Sequence, residues 1–164
     1  MIKNEYLNIL RRSFDKKTVL DMPHVCMTLN TTSRTTGFRY LRELNHLTSY
    51  THNGKYYTLS GIAQFDSNGF WYFGDIGFSV HGTLINTLCQ IITQSEAGKS
   101  NSELEKHCRV RVQTALQTLL RSKKIARVKL EKKYLYVNAD PSISDRQIRK
   151  RMGAILSESV VKQH

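Results

Sequence analysis

Acidic residues, proline and tryptophan are scarce in this chain of 164 residues, which has 13 Asp and Glu, two Pro and one Trp. Lys and Arg number 25, so the formal net charge is +12, and basic residues outnumber acidic ones in each of the segments 1–66, 67–140 and 141–164. A basic excess spread along the whole length favours a polyanionic partner, either nucleic acid or an anionic membrane surface. The other interpretation is a basic surface that only keeps the protein soluble.

Long apolar runs are also missing. No stretch approaches the ~20 apolar residues of a membrane span, and the first residues, MIKNEYLNILRRSF, lack the apolar core of a secretory signal. We therefore expect no membrane contact and a cytoplasmic, nucleoid-associated location. Cysteine is rare: Cys26, Cys89 and Cys108 lie far apart inside apolar patterns, which predicts reduced core thiols.

Patterns that bind metals or catalyse reactions are absent as well. His24 with Cys26, and His107 with Cys108, lack the ligand spacing of zinc fingers. No glycine-rich phosphate loop precedes a helix, and the Asp residues stand mostly at predicted caps or turns instead of converging. We expect no metal, no cofactor, no catalytic residues and no enzymatic activity.

The sequence predicts the same order of helices and strands twice. In the first copy, apolar spacing predicts a helix over residues 4–14, followed by a short strand over 18–20. Asp21 is a predicted N-cap of a second helix, with Pro23 in its first turn. Ser33 is the predicted N-cap of a third helix, which runs to about residue 46.

The third helix has two distinct faces. Gly37, Leu41 and Leu44 share one face, and a glycine there predicts close approach of the second helix. After this helix, predicted strands at 47–50 and 55–59 flank His52-Asn53-Gly54, and Asn-Gly is a strong sign of a tight hairpin.

The second copy repeats this order. A helix is predicted over residues 83–94, and the sequence Ser100-Asn101-Ser102-Glu103 predicts a capping box for a short helix that ends near His107. The next helix has inward Val112, Leu116, Leu119 and Leu120. Strands are then predicted over 125–137, around Leu130-Glu131-Lys132.

Two further segments are predicted outside the copies. Residues 60–80 are rich in Phe, Trp and Tyr, which favours packing between the units, with a base-stacking platform as the alternative. From Pro141 the chain predicts a helix capped by Ser144, with an apolar stripe that packs on its own unit or pairs with a second chain; the stripe consists of Ile148, Met152, Ile155, Leu156 and Ser159.

Both copies resemble winged helix-turn-helix DNA-binding domains, the first through residues 33–59 and the second through 100–137. The expected fold is therefore mainly α with small β-hairpin wings, an α+β class. The expected domains are 1–62 and 81–140, joined by a connector, 63–80, and followed by a C-terminal helix, 141–164. Small prokaryotic, phage and mobile-element regulators are of this type.

The resemblance implies that the third helix of each copy enters the DNA major groove. The expected DNA-binding residues in the first copy are Ser33, Arg34, Thr35, Arg39, Arg42, His52 and Lys55. In the second copy they are Arg111, Thr114, Gln117, Thr118, Arg121, Lys129, Lys132 and Lys133. Alternatively, Arg39 and Arg42 are merely solvated or pair with Glu43.

The function expected from this is sequence-specific binding of double-stranded DNA by a dimeric transcriptional repressor or autoregulator. The homodimer is expected through the helix over residues 144–160. Two alternatives remain open: a subunit that recognises the DNA ends of a mobile element, and a winged-helix scaffold that holds a partner protein.

Overall fold

A computed structural model describes the backbone of residues 2–162 and the side chains of residues 2–158. Within these residues the protein is an α+β fold with seven α-helices and three small antiparallel sheets. The chain divides into two compact units, Met1–Thr83 and Leu84–His164. The aromatic segment 60–80 belongs to the first unit, and its predicted role between the units stays a prediction.

The first unit begins with three helices and a three-stranded sheet. In this sheet the first strand pairs with the third, and the third with the second. A separate two-stranded hairpin follows. The elements are α1 Lys3–Lys17, β1 Leu20–Asp21, α2 Met22–Thr28, α3 Arg34–Glu43, β2 His46–Thr48, β3 Tyr56–Leu59, β4 Phe70–Phe73 and β5 Ile76–Ser79.

The caps predicted for α2 and α3 are confirmed. The Asp21 carboxylate accepts a hydrogen bond from the backbone N–H of His24 (3.0 Å), and Pro23 lies in the first turn. The predicted strand over 18–20 is wrong for its first two residues, because α1 extends to Lys17 and Thr18 leaves it with φ +72°. The third helix ends at Glu43, three residues earlier than predicted, and Asn45 follows with φ +54°.

The core of this unit lies where α1, α2 and α3 meet the sheet. Leu10, Phe14, Val25 and Leu41 are fully buried in it. A Cβ atom built on Gly37 would come within 2.7 Å of the Met22 sulfur atom, so the predicted close approach of α2 and α3 is confirmed.

The predicted tight hairpin at His52-Asn53-Gly54 is longer than expected. All three residues have positive φ, as the Asn-Gly signal requires, but they form a 3-10 turn inside a connection that runs from residue 49 to 55. Strand β2 ends early because the chain turns at Tyr50 to pair with the β4–β5 hairpin, where the Tyr50 N–H donates to the Gly77 carbonyl (3.0 Å). The aromatic segment therefore supports this loop.

The second unit repeats the element order of the first. Its strand order again places the last strand in the centre of three. The two-residue strand at Lys99 was not predicted. The elements are α4 Leu84–Gln94, β6 Lys99–Ser100, α5 Asn101–Cys108, α6 Gln113–Arg121, β7 Ile125–Leu130, β8 Lys133–Asn138 and α7 Pro141–Lys162.

The local signals of α5 and most of those of α6 are confirmed. The capping box at Ser100 and Glu103 is present in full. Val112, Leu116 and Leu119 are buried as predicted, whereas Leu120 is half-buried. None of the three cysteines forms a disulfide; Cys108 is buried, which raises the pKa of its thiol to about 11, while Cys26 and Cys89 are half-buried.

The predicted cap of the C-terminal helix is wrong. Helix α7 begins at Pro141, and Asp140 accepts a hydrogen bond from the Ser142 N–H (3.0 Å); Ser144 lies inside the helix and donates to the Pro141 carbonyl. The predicted apolar stripe is also divided. Ile148 and Ile155 are half-buried, but Met152 is 49% and Leu156 65% exposed. The Ser159 side chain lies outside the described residues.

Polar side chains fix α7 to its unit instead. Gln147, only 2% exposed, donates to the carbonyls of Ile92 (2.9 Å) and Ser95 (2.8 Å) and accepts from the Asn138 N–H (2.8 Å). This one amide joins the end of α4 to the end of β8. It also gives buried backbone groups the partners that water cannot supply.

Arg151, one turn further along α7, holds a second contact. Its guanidinium donates to the carbonyls of Ala97 (3.0 Å) and Gly98 (2.9 Å) and pairs with the Glu103 carboxylate (2.7 Å). Burial alone raises the pKa of Glu103, but the hydrogen bonds from Arg151 and Ser100 outweigh it and lower this pKa to about 2. Charge-assisted bonds of this kind are stronger than neutral ones.

None of the helices within residues 2–162 has both the length and the apolar character needed to cross a membrane.

Replacing Gln147 with Ala tests the polar anchor of α7. The variant leaves two carbonyls and one N–H without this partner, and we expect its free energy of unfolding to fall by about 2–3 kcal/mol. Urea unfolding followed by circular dichroism measures the loss. Gln94→Ala is the matched control, because Gln94 is exposed and a surface change costs at most about 0.5 kcal/mol. Equal stability of the two variants would contradict the anchor.

Candidate nucleic-acid interface

Helix α3 has a basic face. The N-cap fixes where the helix begins, and the helical period determines which side chains face solvent. The Ser33 hydroxyl accepts a hydrogen bond from the Thr36 N–H (3.2 Å) and starts the helix. With Gly37 and Leu41 turned into the core, the 3.6-residue period leaves the opposite side to solvent. The four predicted residues of this helix are all exposed: Arg34, Thr35, Arg39 and Arg42.

The arginines of this face make only weak contacts with their neighbours. The Arg34 guanidinium carbon lies 6.0 Å from the centroid of the Phe38 ring, and that of Arg39 lies 5.6 Å from the Tyr40 ring. Glu43, the alternative partner of Arg39 and Arg42, forms its salt bridge with Lys3 on α1. Within the described residues these guanidinium groups have no carboxylate partner and keep their donors for a ligand.

The β2–β3 connection of the same unit carries two more predicted residues. Both ring nitrogens of His52 already have partners within the unit. Its Nδ1 lies 2.8 Å from the Thr51 hydroxyl, and its Nε2 lies 3.5 Å from the Asp75 carboxylate. Lys55 is exposed, with its ammonium group 5.6 Å from the centroid of the Tyr56 ring. Of the two, Lys55 is the better placed to contact a phosphate.

Helix α6 is the counterpart of α3 in the second unit, but its exposed face is much less basic. Thr114, Gln117, Thr118 and Arg121 are exposed on it, as predicted. The Thr118 hydroxyl donates to the Thr114 carbonyl (3.1 Å), so its proton is not available to a ligand. Arg111 is exposed but precedes the helix, so the prediction that it lies on the helical face is wrong.

The β7–β8 hairpin divides the three predicted lysines. Lys129 pairs across the strands with Tyr134, and Leu130 with Lys133, so Lys129 and Lys133 lie on opposite faces because side chains alternate along a strand. Lys132 lies in the two-residue turn, after Glu131 with φ +58°. These lysines do not form a single cluster.

Two residues of this hairpin were missed by the sequence analysis. Arg127 shares a face with Lys129, and its guanidinium carbon lies 4.3 Å from the centroid of the Tyr134 ring. All three side chains are exposed, and we call them the basic-aromatic patch. The alternation in the sequence IARVKL, read with the short turn after it, was the signal that could have revealed this patch.

The predicted site residues therefore fall into separate groups within each unit. In the first unit one face of α3 carries Thr35, Arg39 and Arg42, while Ser33 and Arg34 lie at the start of the helix and the loop adds Lys55. In the second unit they are spread over α6 and both faces of a hairpin. No cluster of three or more His, Cys, Asp or Glu with a metal-binding arrangement occurs in the described part of the chain.

Comparison of the chain with models of protein families, with curated proteins and with solved structures found no match.

Replacing Ser33 with Ala tests how the exposed face of α3 is held. The Thr36 N–H loses its acceptor, and we expect the free energy of unfolding of the first unit to fall by about 1 kcal/mol. Trp71, the single tryptophan and part of this unit, reports the transition by fluorescence. Thr35→Ala is the control, because Thr35 is exposed and Ala favours helix; a matching loss in this control would contradict the cap.

Proposed function

We propose that this protein binds double-stranded DNA sequence-specifically, as a dimeric transcriptional repressor or autoregulator. Each unit would be a winged helix-turn-helix domain, with α3 as the main reading helix and the β2–β3 and β7–β8 hairpins as wings. The observation that carries the proposal is the pair of exposed arginines, Arg39 and Arg42, on the outward face of α3, in a unit with this element order.

The order of elements supports the proposed domain type. In each unit a helix, a two-residue strand, two helices and two further strands follow one another, and the last strand is central in the sheet. A winged helix-turn-helix domain has this order of parts. Finding it twice in one chain is stronger support than one occurrence, since short helices and hairpins also occur in unrelated small domains.

The chemistry of α3 supports DNA as its ligand. Arginine can donate two hydrogen bonds to the O6 and N7 atoms of guanine, and the threonine methyl group can contact that of thymine. Arg39 lies in the middle of the exposed face, so we assign it the principal base contact, with Thr35 and Arg42 on either side. The capped N-terminus at Ser33 and Arg34 favours a phosphate.

The second unit would have a different task. Its helix α6 offers one arginine, Arg121, where α3 offers three. Its hairpin carries more basic residues than the loop of the first unit, and contacts with phosphates hold a protein on DNA without reading its sequence. We therefore assign sequence reading to the first unit and anchoring to the second.

A scaffold for a partner protein is the second candidate. It is favoured by the exposed apolar side chains of Phe73, Met152 and Leu156. Under the main proposal, Met152 and Leu156 pair with the same helix of a second chain, and the dimer reads a palindromic site.

The function is tested by selection of duplex oligonucleotides followed by binding titrations. We expect Arg39→Ala to lose about 1–3 kcal/mol of affinity for the selected site and to relax the preference at one base pair, because a bidentate base contact is removed. Lys55→Gln is the contrasting variant. It should weaken binding to all duplexes alike and make the slope of log affinity against log salt shallower by ~0.9, the effect of one phosphate contact.

The control for both variants is Arg11→Ala, an exposed arginine on α1, which should leave binding unchanged. Selected duplexes without a common motif, together with parental affinity of Arg39→Ala, would exclude sequence-specific regulation. If no duplex binds at low salt, the scaffold becomes the leading candidate.

The dimer is tested by replacing Met152 and Leu156 together with Ser. We expect sedimentation velocity to show a dimer for the parent and a monomer for the double variant, because the exposed apolar contact is removed. Met27→Ser is the control, since Met27 is an even more exposed apolar side chain, at 70%, and lies in the other unit. A monomeric parent, or a dimeric double variant, would contradict pairing through α7.

A further inference from the structure

The basic-aromatic patch combines an exposed ring with two cations on one sheet face. Tyr134 is 44% exposed and lies directly across from Lys129 in the β7–β8 pairing. Arg127, two residues before Lys129, reaches diagonally to within 4.3 Å of the centroid of the ring. Arg127 therefore limits the orientations of Tyr134 and leaves it partly open to solvent, which preorganises the ring for a ligand.

The strands that form this face carry charge of one sign, and the acidic residue of the hairpin, Glu131, lies in the turn. Strands β6, β7 and β8 contain no Asp or Glu, and within the described residues neither Arg127 nor Lys129 has a salt bridge. Lys99 on β6 pairs with Tyr136 and so adds a third cation to the same face. A polyanion meets no repulsion along this row of side chains.

We propose that the basic-aromatic patch binds single-stranded DNA, with one base stacked on Tyr134 and the adjacent phosphates bound by Arg127 and Lys129. The bases of an intact duplex present only their edges, whereas an unpaired base presents its whole flat face to a ring. This ligand differs from the duplex proposed for α3 and for the β7–β8 wing, so Arg127 and Lys129 would hold a single strand in place of duplex phosphates. The choice of DNA over RNA rests on the proposed function, since a protein held on a duplex meets an unpaired strand wherever that duplex opens.

Charge alone would also suit an acidic peptide, but the ring distinguishes the two ligands. Carboxylates would satisfy Arg127 and Lys129 and leave Tyr134 without a planar partner. A nucleotide satisfies both, because it joins a phosphate to a flat base that stacks on an aromatic side chain.

The test uses the full-length protein and a single-stranded DNA oligonucleotide that carries 2-aminopurine, whose fluorescence is quenched when it stacks. We expect the parent protein to quench it and Tyr134→Ala to bind about tenfold more weakly with little quenching. Tyr134→Phe keeps the ring and should stay within about twofold of the parent. Circular dichroism melting checks that each variant is folded.

Lys129→Gln and Lys133→Gln form a matched pair, because both lysines are exposed in the same hairpin but lie on opposite faces. Only Lys129→Gln should make the salt dependence of single-strand binding shallower, by ~0.7 in slope. Equal effects of the two variants would overturn the assignment to this face.

Further measurements distinguish single-strand binding at the patch from duplex binding at α3. Arg39→Ala should weaken binding of the selected duplex and leave binding of the single strand unchanged. Absence of quenching by the parent, or parental binding by Tyr134→Ala, overturns the patch even if the duplex is bound. Tighter binding of an RNA strand of the same sequence overturns the assignment to DNA, and tighter binding of poly-glutamate than of either strand overturns the assignment to nucleic acid.

Discussion

Both units depend on one residue that ends a strand and also caps the next helix. Asp21 pairs with Tyr56 in the sheet, while its carboxylate accepts from the N–H of His24, the third residue of α2. Ser100 pairs with Leu135, while its hydroxyl accepts from the third N–H of α5. The cap fixes the direction of the helix relative to the strand. In the first unit α3 then packs on the capped helix α2, whereas in the second unit α6 packs on α4.

The chemistry of this junction differs between the units. In the first unit burial raises the pKa of Asp21, but the hydrogen bonds and charge of His24 outweigh it, so the pKa lies below its usual value and the cap stays ionised at neutral pH. In the second unit the cap is a neutral hydroxyl, and Glu103 supplies the charge through its bonds to the Ser100 N–H and to Arg151. The second junction therefore extends to α7, whereas the first stays within its own sheet and helix pair.

The sequence predicts the local part of this structure well and the long-range part poorly. The caps at Asp21, Ser33 and Ser100 depend on residues a few positions apart and are confirmed, as is the close approach at Gly37, whereas the predicted cap at Ser144 is wrong. The strand at Lys99 has two residues and acquires its identity only from Tyr136 and Leu135, far along the chain. In the candidate site, the exposed face of α3 follows from periodicity. The contact of Arg127 with Tyr134 required the register of a hairpin, which composition does not specify.

Helix α7 shows why an apolar stripe need not indicate the buried face of a helix. Its inward side carries Gln147 and Arg151, because the ends of α4 and β8 and the turn at Ala97 present backbone groups that need polar partners. Satisfying those groups takes priority over burying Met152 and Leu156, since a buried backbone group without a partner costs about 1–3 kcal/mol. The helix is thus held rigidly by its polar side while apolar side chains face solvent. A helix fixed to its unit in this way loses little conformational freedom on binding, which is compatible with the proposed pairing of this face with a second α7.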